Sequence, residues 1–191
     1  LQKQGYRIQV LDFDDVSKSA FFCPLSYCNS EDELKALSEQ IIFSSNASKG
    51  TTDAFWSFSS VSLLFFIFRL LKTQKNRFLN LSNARHLLGQ METQGFKEFV
   101  SQNATGVLFS DYLSFHSKDI KLRTNIQASL SATLDLFGYA EIAHITSQNT
   151  LNFQRLIQSK SVLFIIIPER KLKRYALVLS CFYSVLFDYV Q

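Results

Sequence analysis

Residues 161–168 read Ser-Val-Leu-Phe-Ile-Ile-Ile-Pro, and this stretch decides the fold class. Its apolar residues run without interruption from Val162 to Ile167, and Pro168 ends the run because proline has no backbone N–H to donate to a β-ladder. A continuous apolar run rich in β-branched residues is typical of a strand buried on both faces of a parallel α/β sheet. We therefore predict a buried strand over residues 161–167.

A strand needs a partner, and the best candidate lies near the other end of the chain. Residues 6–13 read Tyr-Arg-Ile-Gln-Val-Leu-Asp-Phe, with apolar side chains at the alternating positions Tyr6, Ile8 and Val10. Little else in the chain has a strand pattern. We expect the two strands to lie close in space, paired directly or through a strand outside this chain.

The sequence between the two strands has helical patterns. Ser30 and Glu33 form a capping box before a helix near residues 31–43, and Asp53 is placed to cap a helix over 54–72. We interpret the second helix as the buried centre of a bundle, because Arg69 interrupts an apolar stretch that is shorter than the ~20 residues of a membrane span. Further helices are predicted over residues 82–91, 95–100, 105–115, 118–137, 149–159 and 169–190.

Composition agrees with a packed, mainly helical chain. Nineteen phenylalanines among 191 residues favour a packed interior over disorder, and only six glycines and two prolines favour long helices. The three cysteines have no disulfide or zinc spacing, so we expect buried thiols. The net charge of +4 permits a polyanionic partner without requiring one.

Enzymatic motifs are scarce. The sequence has no G-x-x-x-x-G-K-[ST] phosphate loop, no HExxH and no GxSxG. Asp12 and Asp14 lie at the end of the first strand with the spacing of the nucleophile and general acid of haloacid-dehalogenase-like phosphatases. The second strand is followed by a single carboxylate, Glu169, where such an enzyme needs an acidic pair for Mg²⁺. A solvated acidic turn is the competing interpretation.

Two basic groups are candidates for contact with DNA or a protein partner, because basic helical surfaces contact phosphates without sequence preference. Solvated helix ends are the competing interpretation. Basic charge in the first turn of a helix opposes the helix dipole, which makes the second group the less expected one. The candidates are Lys118, Lys121 and Arg123 in the first group and Arg170, Lys171, Lys173 and Arg174 in the second.

Several segments, in order, resemble type IV secretion coupling proteins, the TraG/TraD family of conjugative DNA-transfer ATPases. Residues 5–15 (Gly-Tyr-Arg-Ile-Gln-Val-Leu-Asp-Phe-Asp-Asp), then Ser19, then residues 23–27 (Cys-Pro-Leu-Ser-Tyr) are similar to the segment after that family's first nucleotide motif. Residues 53–56 (Asp-Ala-Phe-Trp) resemble its D-P-F-W motif. Residues 124–131, Thr146-Ser147, Ile167-Pro168 and Tyr175 resemble the run toward its second nucleotide motif. Cys23 replaces the family's Asn and Ala54 its Pro.

The resemblance implies a fold and a division of the chain. It implies a mainly α chain, in which a helical bundle is inserted in a RecA-like α/β domain of which two strands and a C-terminal helix are present. Residues 1–29 and 160–191 would be pieces of the nucleotide-binding domain, and residues 30–159 the all-α domain between the two nucleotide-binding motifs. Leu1 is then expected to be a cut end, with the phosphate loop before it and the Mg²⁺-binding acidic strand after Gln191.

The resemblance also implies a function. The parent protein would be a hexameric, ATP- and Mg²⁺-dependent ATPase anchored in the bacterial inner membrane, with this part on the cytoplasmic side. This fragment would be monomeric, would hold no cofactor and would not hydrolyse ATP alone. It would recognise relaxosome proteins, the transferred DNA or a secreted protein substrate. A protein-docking module without DNA contact is the alternative.

Overall fold

Two strands that are distant in the chain form a parallel pair in the computed structural model, which describes residues 1–47 and 53–190. β1 (Arg7–Asp12) and β2 (Ser161–Ile166) align residue for residue, with Arg7 opposite Ser161 and Asp12 opposite Ile166. Backbone N–H groups of Arg7 and Phe13 donate to the carbonyls of Lys160 and Ile166, so hydrogen bonding continues at both ends of the pair. The predicted proximity of the strands is confirmed by direct pairing.

The sheet is covered on one face and open on the other. Leu11 is fully buried, and its partner Ile165 packs against the core. On the opposite face Phe164 is 42% exposed and Ile166 is 44% exposed. The prediction that β2 is buried on both faces is therefore wrong for the described residues. The apolar run fits a two-sided interior, but the described part of the chain covers only one side.

Helices make up most of the described chain and lie between and after the strands. Their bounds are α1 Glu31–Ala47, α2 Ala54–Lys72, α3 Leu81–Gln90, α4 Gln94–Asn103, α5 Gly106–His116, α6 Ile120–Leu134, α7 Ala140–Ile145, α8 Phe153–Gln158 and α9 Leu172–Val190. The predicted fold class, a mainly α chain with two strands and a C-terminal helix, is confirmed.

Side-chain caps fix several helix starts. Ser30 and Glu33 form the predicted capping box: the Ser30 hydroxyl accepts from the Glu33 N–H at 3.2 Å, and the Glu33 carboxylate accepts from the Ser30 N–H at 2.9 Å. Asp53 accepts from the N–H of Phe55 and begins α2 as predicted. α6 is shorter than predicted and continues as a 3₁₀ turn, Asp135–Gly138. The short helix α7 has no counterpart in the sequence prediction.

α2 is the central helix of the bundle and contacts α1, α3, α5 and α6. Leu64, Ile67, Phe68 and Leu70 on α2 have no solvent exposure. By length and composition α2 is also the one helix among the described residues that could cross a membrane, and 56% of its apolar window is buried inside the fold. Its contacts with four neighbouring helices are those of a core helix, as predicted, although one of its faces stays open.

An aromatic cluster attaches the segment between β1 and α1 to the C-terminal helices. The Phe22 ring lies 5.0 Å from that of Phe182 in α9 and 6.1 Å from that of Phe153 in α8. Tyr27 stacks on Phe153 at 4.6 Å, and its hydroxyl donates to the carbonyl of Leu151 at 2.9 Å. The segment between β1 and α1 therefore packs together with α8 and α9.

We expect Phe22→Ala to lower the free energy of unfolding by about 3–5 kcal/mol, because it removes a fully buried ring from this cluster. Phe187→Ala, at an exposed ring of α9, is the control and should change it by about 0.5 kcal/mol or less. Urea denaturation followed by circular dichroism measures both. Equal losses in the two variants would show that the cluster does not hold the segment.

Candidate nucleic-acid and partner interface

The first basic group lies at the start of α6, and its three members differ in availability. The Arg123 side chain is only 14% exposed. It donates to the carbonyls of His116 and Lys118, and its Nη2 lies 3.5 Å from the Glu92 carboxylate. Arg123 thus fastens the turn between α5 and α6. Lys118 and Lys121 are exposed.

The second basic group lies at the start of α9, where two of its four members face α7. Lys171 Nζ lies 3.2 Å from the Glu141 carboxylate, and the Arg174 guanidinium lies over the Tyr139 ring, 5.0 Å from its centre. The Tyr175 hydroxyl donates to Glu141 at 2.8 Å. This hydrogen bond and Lys171 lower the pKa of Glu141, and Glu141 raises the pKa of Lys171. Sequence reasoning missed this cluster because α7 was not predicted.

The structure places the two basic groups at opposite ends of α6. Lys118 and Lys121 flank the start of α6. Lys171 pairs with Glu141 on α7, and α7 begins just after the 3₁₀ turn that follows the end of α6. The fifteen residues of α6 span about 22 Å at 1.5 Å per residue. Arg174 is exposed too but lies over the Tyr139 ring. The other exposed members are Lys118 with Lys121 in the first group and Arg170 with Lys173 in the second.

Asp12, one of the two candidate phosphatase carboxylates, has a structural role. Asp12 Oδ1 accepts from the N–H groups of Asp14 and Asp15 at 2.8 and 3.0 Å, and the Asp12 N–H donates to Ser19 Oγ at 2.9 Å. This is a local turn closed by its own side chain. In residues 1–47 and 53–190 no group of three or more His, Cys, Asp and Glu residues could hold a metal ion. The geometry favours the acidic-turn interpretation.

Other residues that carry the family resemblance also build the scaffold. The Ser19 hydroxyl donates to the carbonyl of Ala20 at 2.7 Å, and the Cys23 thiol donates to the carbonyl of Leu79 at 3.1 Å. All three cysteines are free and buried, as predicted, and burial raises the pKa of Cys28 and of Cys181 to about 12. These thiols are therefore poor nucleophiles.

A clamp joins the three helices α1, α2 and α5. The Arg69 side chain, 12% exposed, lies 2.9 Å from Glu31 on α1 and 2.6 Å from Asp111 on α5. Its guanidinium also lies 5.4 Å from the centre of the Phe65 ring. Because Arg69 is held by both carboxylates, it fixes the spacing between α1 and α5 on either side of α2.

Sequence reasoning missed an apolar groove above this clamp, which we name the α2 groove. Its floor is the open face of α2, where Phe55 is 51% exposed and Phe58 is 60% exposed. α1 and α5 form its walls, and its volume is about 680 Å³. The signal was hidden because large apolar side chains occur around most of α2, so the sequence does not show which of its faces stays open. The groove is lined by Lys35, Phe55, Phe58, Ser59, Ser62, Leu63, Phe65, Phe66, Asp111, Ser114, Phe115, Lys118 and Ile126.

The inward position of Arg123 leads to a stability prediction. Arg123→Ala should lower the free energy of unfolding by about 1–3 kcal/mol, because it leaves two carbonyls and Glu92 without their donor. Lys121→Ala, two residues away on α6 and exposed, should change it by less than about 0.5 kcal/mol. Thermal and urea unfolding measure both variants. If Arg123→Ala leaves the free energy of unfolding unchanged, Arg123 becomes a candidate for partner contact again.

Comparison with known proteins adds the family. The chain matches the family described as Type IV secretory system Conjugative DNA transfer over residues 2–191. A search of curated proteins finds no match. The family match spans both strands, the helical bundle and the C-terminal helix. This chain therefore belongs to the type IV secretory system conjugative DNA transfer family.

Proposed function

We propose that this chain is the substrate- and relaxosome-recognition part of a TraG/TraD-like coupling protein, with residues 30–159 as its all-α domain. The pairing of β1 with β2 carries the proposal: the chain leaves a sheet after Asp12, folds into helices and returns to the same sheet at Ser161. Such an insertion separates a recognition domain from the sheet that supports it.

The open sheet face supports the assignment of β1 and β2 to a larger motor domain. A parallel sheet is normally covered on both faces, whereas this pair of strands is covered on one face only. In this proposal, other parts of the parent protein cover the exposed side chains of Phe164 and Ile166. In this proposal the parent is a membrane-anchored RecA-like hexamer that binds ATP and Mg²⁺ outside these residues, and the helical domain lies on the cytoplasmic side.

Cysteine labelling tests the insertion. In the 191-residue chain, Phe164→Cys should react readily with maleimide, whereas in the longer parent protein its rate should fall by at least about tenfold, because the motor sheet covers it. Val107→Cys, on the exposed surface of α5, is the control and should react alike in both. The buried native thiols contribute little in either protein. Equal labelling of Phe164→Cys in both proteins would contradict the insertion.

The exposed basic pairs support direct contact with DNA. Lys118 with Lys121 at the start of α6 and Arg170 with Lys173 at the start of α9 are exposed cations without an ion-pair partner among the described residues. Such contacts neutralise phosphates and carry no sequence information. Docking of proteins without DNA contact is the second candidate, and the apolar α2 groove favours it.

Salt-dependent DNA binding separates the two candidates. We expect Lys118→Glu/Lys121→Glu to weaken binding of a labelled oligonucleotide and to reduce the slope of log K against log salt by about 2. The double variant Lys75→Glu/Lys160→Glu changes the net charge equally at exposed sites outside both groups and is the control. Fluorescence anisotropy measures the affinities. If the unaltered chain binds no DNA at low salt, direct DNA contact is wrong and protein docking remains.

A further inference from the structure

We propose that the α2 groove binds an acidic amphipathic helix of a protein partner. This inference rests on the proposed role in recognising transferred proteins and deepens it by naming the site and the chemistry of its ligand. The observations that carry it are the exposed aromatic floor, the helical walls and the charges along those walls.

The floor offers an unusual amount of apolar surface for an exposed helix face. Phe55, Phe58, Ser62, Phe65 and Arg69 follow one another at three- or four-residue steps and so lie along one side of α2. The part of this stripe that lines the groove, from Phe55 to Phe65, is about 15 Å long. The apolar face of a helix of similar length, with anchors at i, i+3 and i+7, matches it in spacing and in chemistry.

The charges on the walls favour a negatively charged ligand. Lys35 on α1 and Lys118 after α5 line the groove from its two sides, and neither is in an ion pair within the described chain. Asp111 also lines the groove, but its carboxylate is engaged by Arg69 at 2.6 Å. Glu39, one turn after Lys35 on α1, is only partly exposed and is not among the residues that line the groove. The two lysines are therefore the charges that the groove offers to a ligand.

Two other occupants fit the groove less well. A second copy of this chain has a net charge of +4 and does not complement the lysines. A lipid surface is flat on this scale, whereas the aromatic floor lies between the walls formed by α1 and α5. A separate helix with acidic flanks matches both the concave shape and the charge.

Designed peptides test the inference directly. The probe is a fluorescein-labelled helical peptide of about 14 residues with Leu at i, i+3 and i+7 and Glu on its flanks. A second peptide carries Lys in place of Glu, and a third has the Leu positions scrambled. The only tryptophan, Trp56, has its ring 5.3 Å from that of Phe55 and reports occupancy by its emission. Fluorescein anisotropy gives the affinities.

We expect the Glu peptide to bind at least about tenfold more tightly than the Lys peptide, and the scrambled peptide to bind weakly or not at all. Phe55→Ala/Phe58→Ala should weaken binding of the Glu peptide by at least about tenfold, and Lys35→Glu/Lys118→Glu by about three- to tenfold. Phe187→Ala removes an exposed ring outside the groove and should change nothing. Because the four substituted side chains are exposed, unfolding curves should stay close to that of the unaltered chain.

Four results would overturn the inference. The first two are equal binding of the Glu and Lys peptides, and normal binding of the Glu peptide by the groove variants. The third is that the chain forms a dimer which Phe58→Ala dissociates. The fourth is that the chain binds phosphatidylcholine–phosphatidylglycerol vesicles and Phe58→Ala abolishes this binding. A relaxase from the same transfer system separates this inference from the proposed function. Relaxase binding unaffected by the groove variants would leave recognition standing without the groove. Peptide binding without binding of any transfer protein would leave the groove standing without the proposed function.

Discussion

The parallel pairing of β1 with β2 is the constraint on which the rest of the structure depends. It places β1 and β2 side by side, about 4.8 Å apart, with Asp12 opposite Ile166 and Arg7 opposite Ser161. The helical excursion leaves the sheet at Asp12 and returns at Ser161, so it must cross back over about five residues of strand, roughly 17 Å, to begin β2 parallel to β1. The aromatic cluster around Phe22 reinforces the junction by holding the segment after β1 against α8 and α9.

Within the excursion, α2 organises the other helices and Arg69 fixes their spacing. An arginine with 12% exposure is costly to bury without partners, and Glu31 and Asp111 supply them from two different helices. The same geometry leaves part of α2 uncovered, because the walls are held apart above its aromatic face. The groove is therefore a consequence of how the bundle is held together.

The sequence predicted the fold better than it predicted the sites. Local signals specified the caps at Ser30 and Asp53, most of the helices and the two strands, since each depends on neighbouring residues. The role of Arg123 could not be predicted, because its carbonyl and carboxylate partners become evident only when the α5–α6 turn and Glu92 come together. The open face of β2 has the same cause: an apolar run shows what could be buried but cannot show what covers it.

The distance in sequence between the paired strands also affects how the chain is made. β1 cannot find its partner until Ile166 has been synthesised, more than 150 residues after Asp12. At about 5–20 residues per second, translation alone imposes a delay of roughly 8–30 s. During that time Ile8, Val10 and Leu11 lack their partner strand β2, whereas the local helices can already form. The edge of β1 that pairs with β2 thus stays unpaired during this part of synthesis, a condition under which chaperones commonly act.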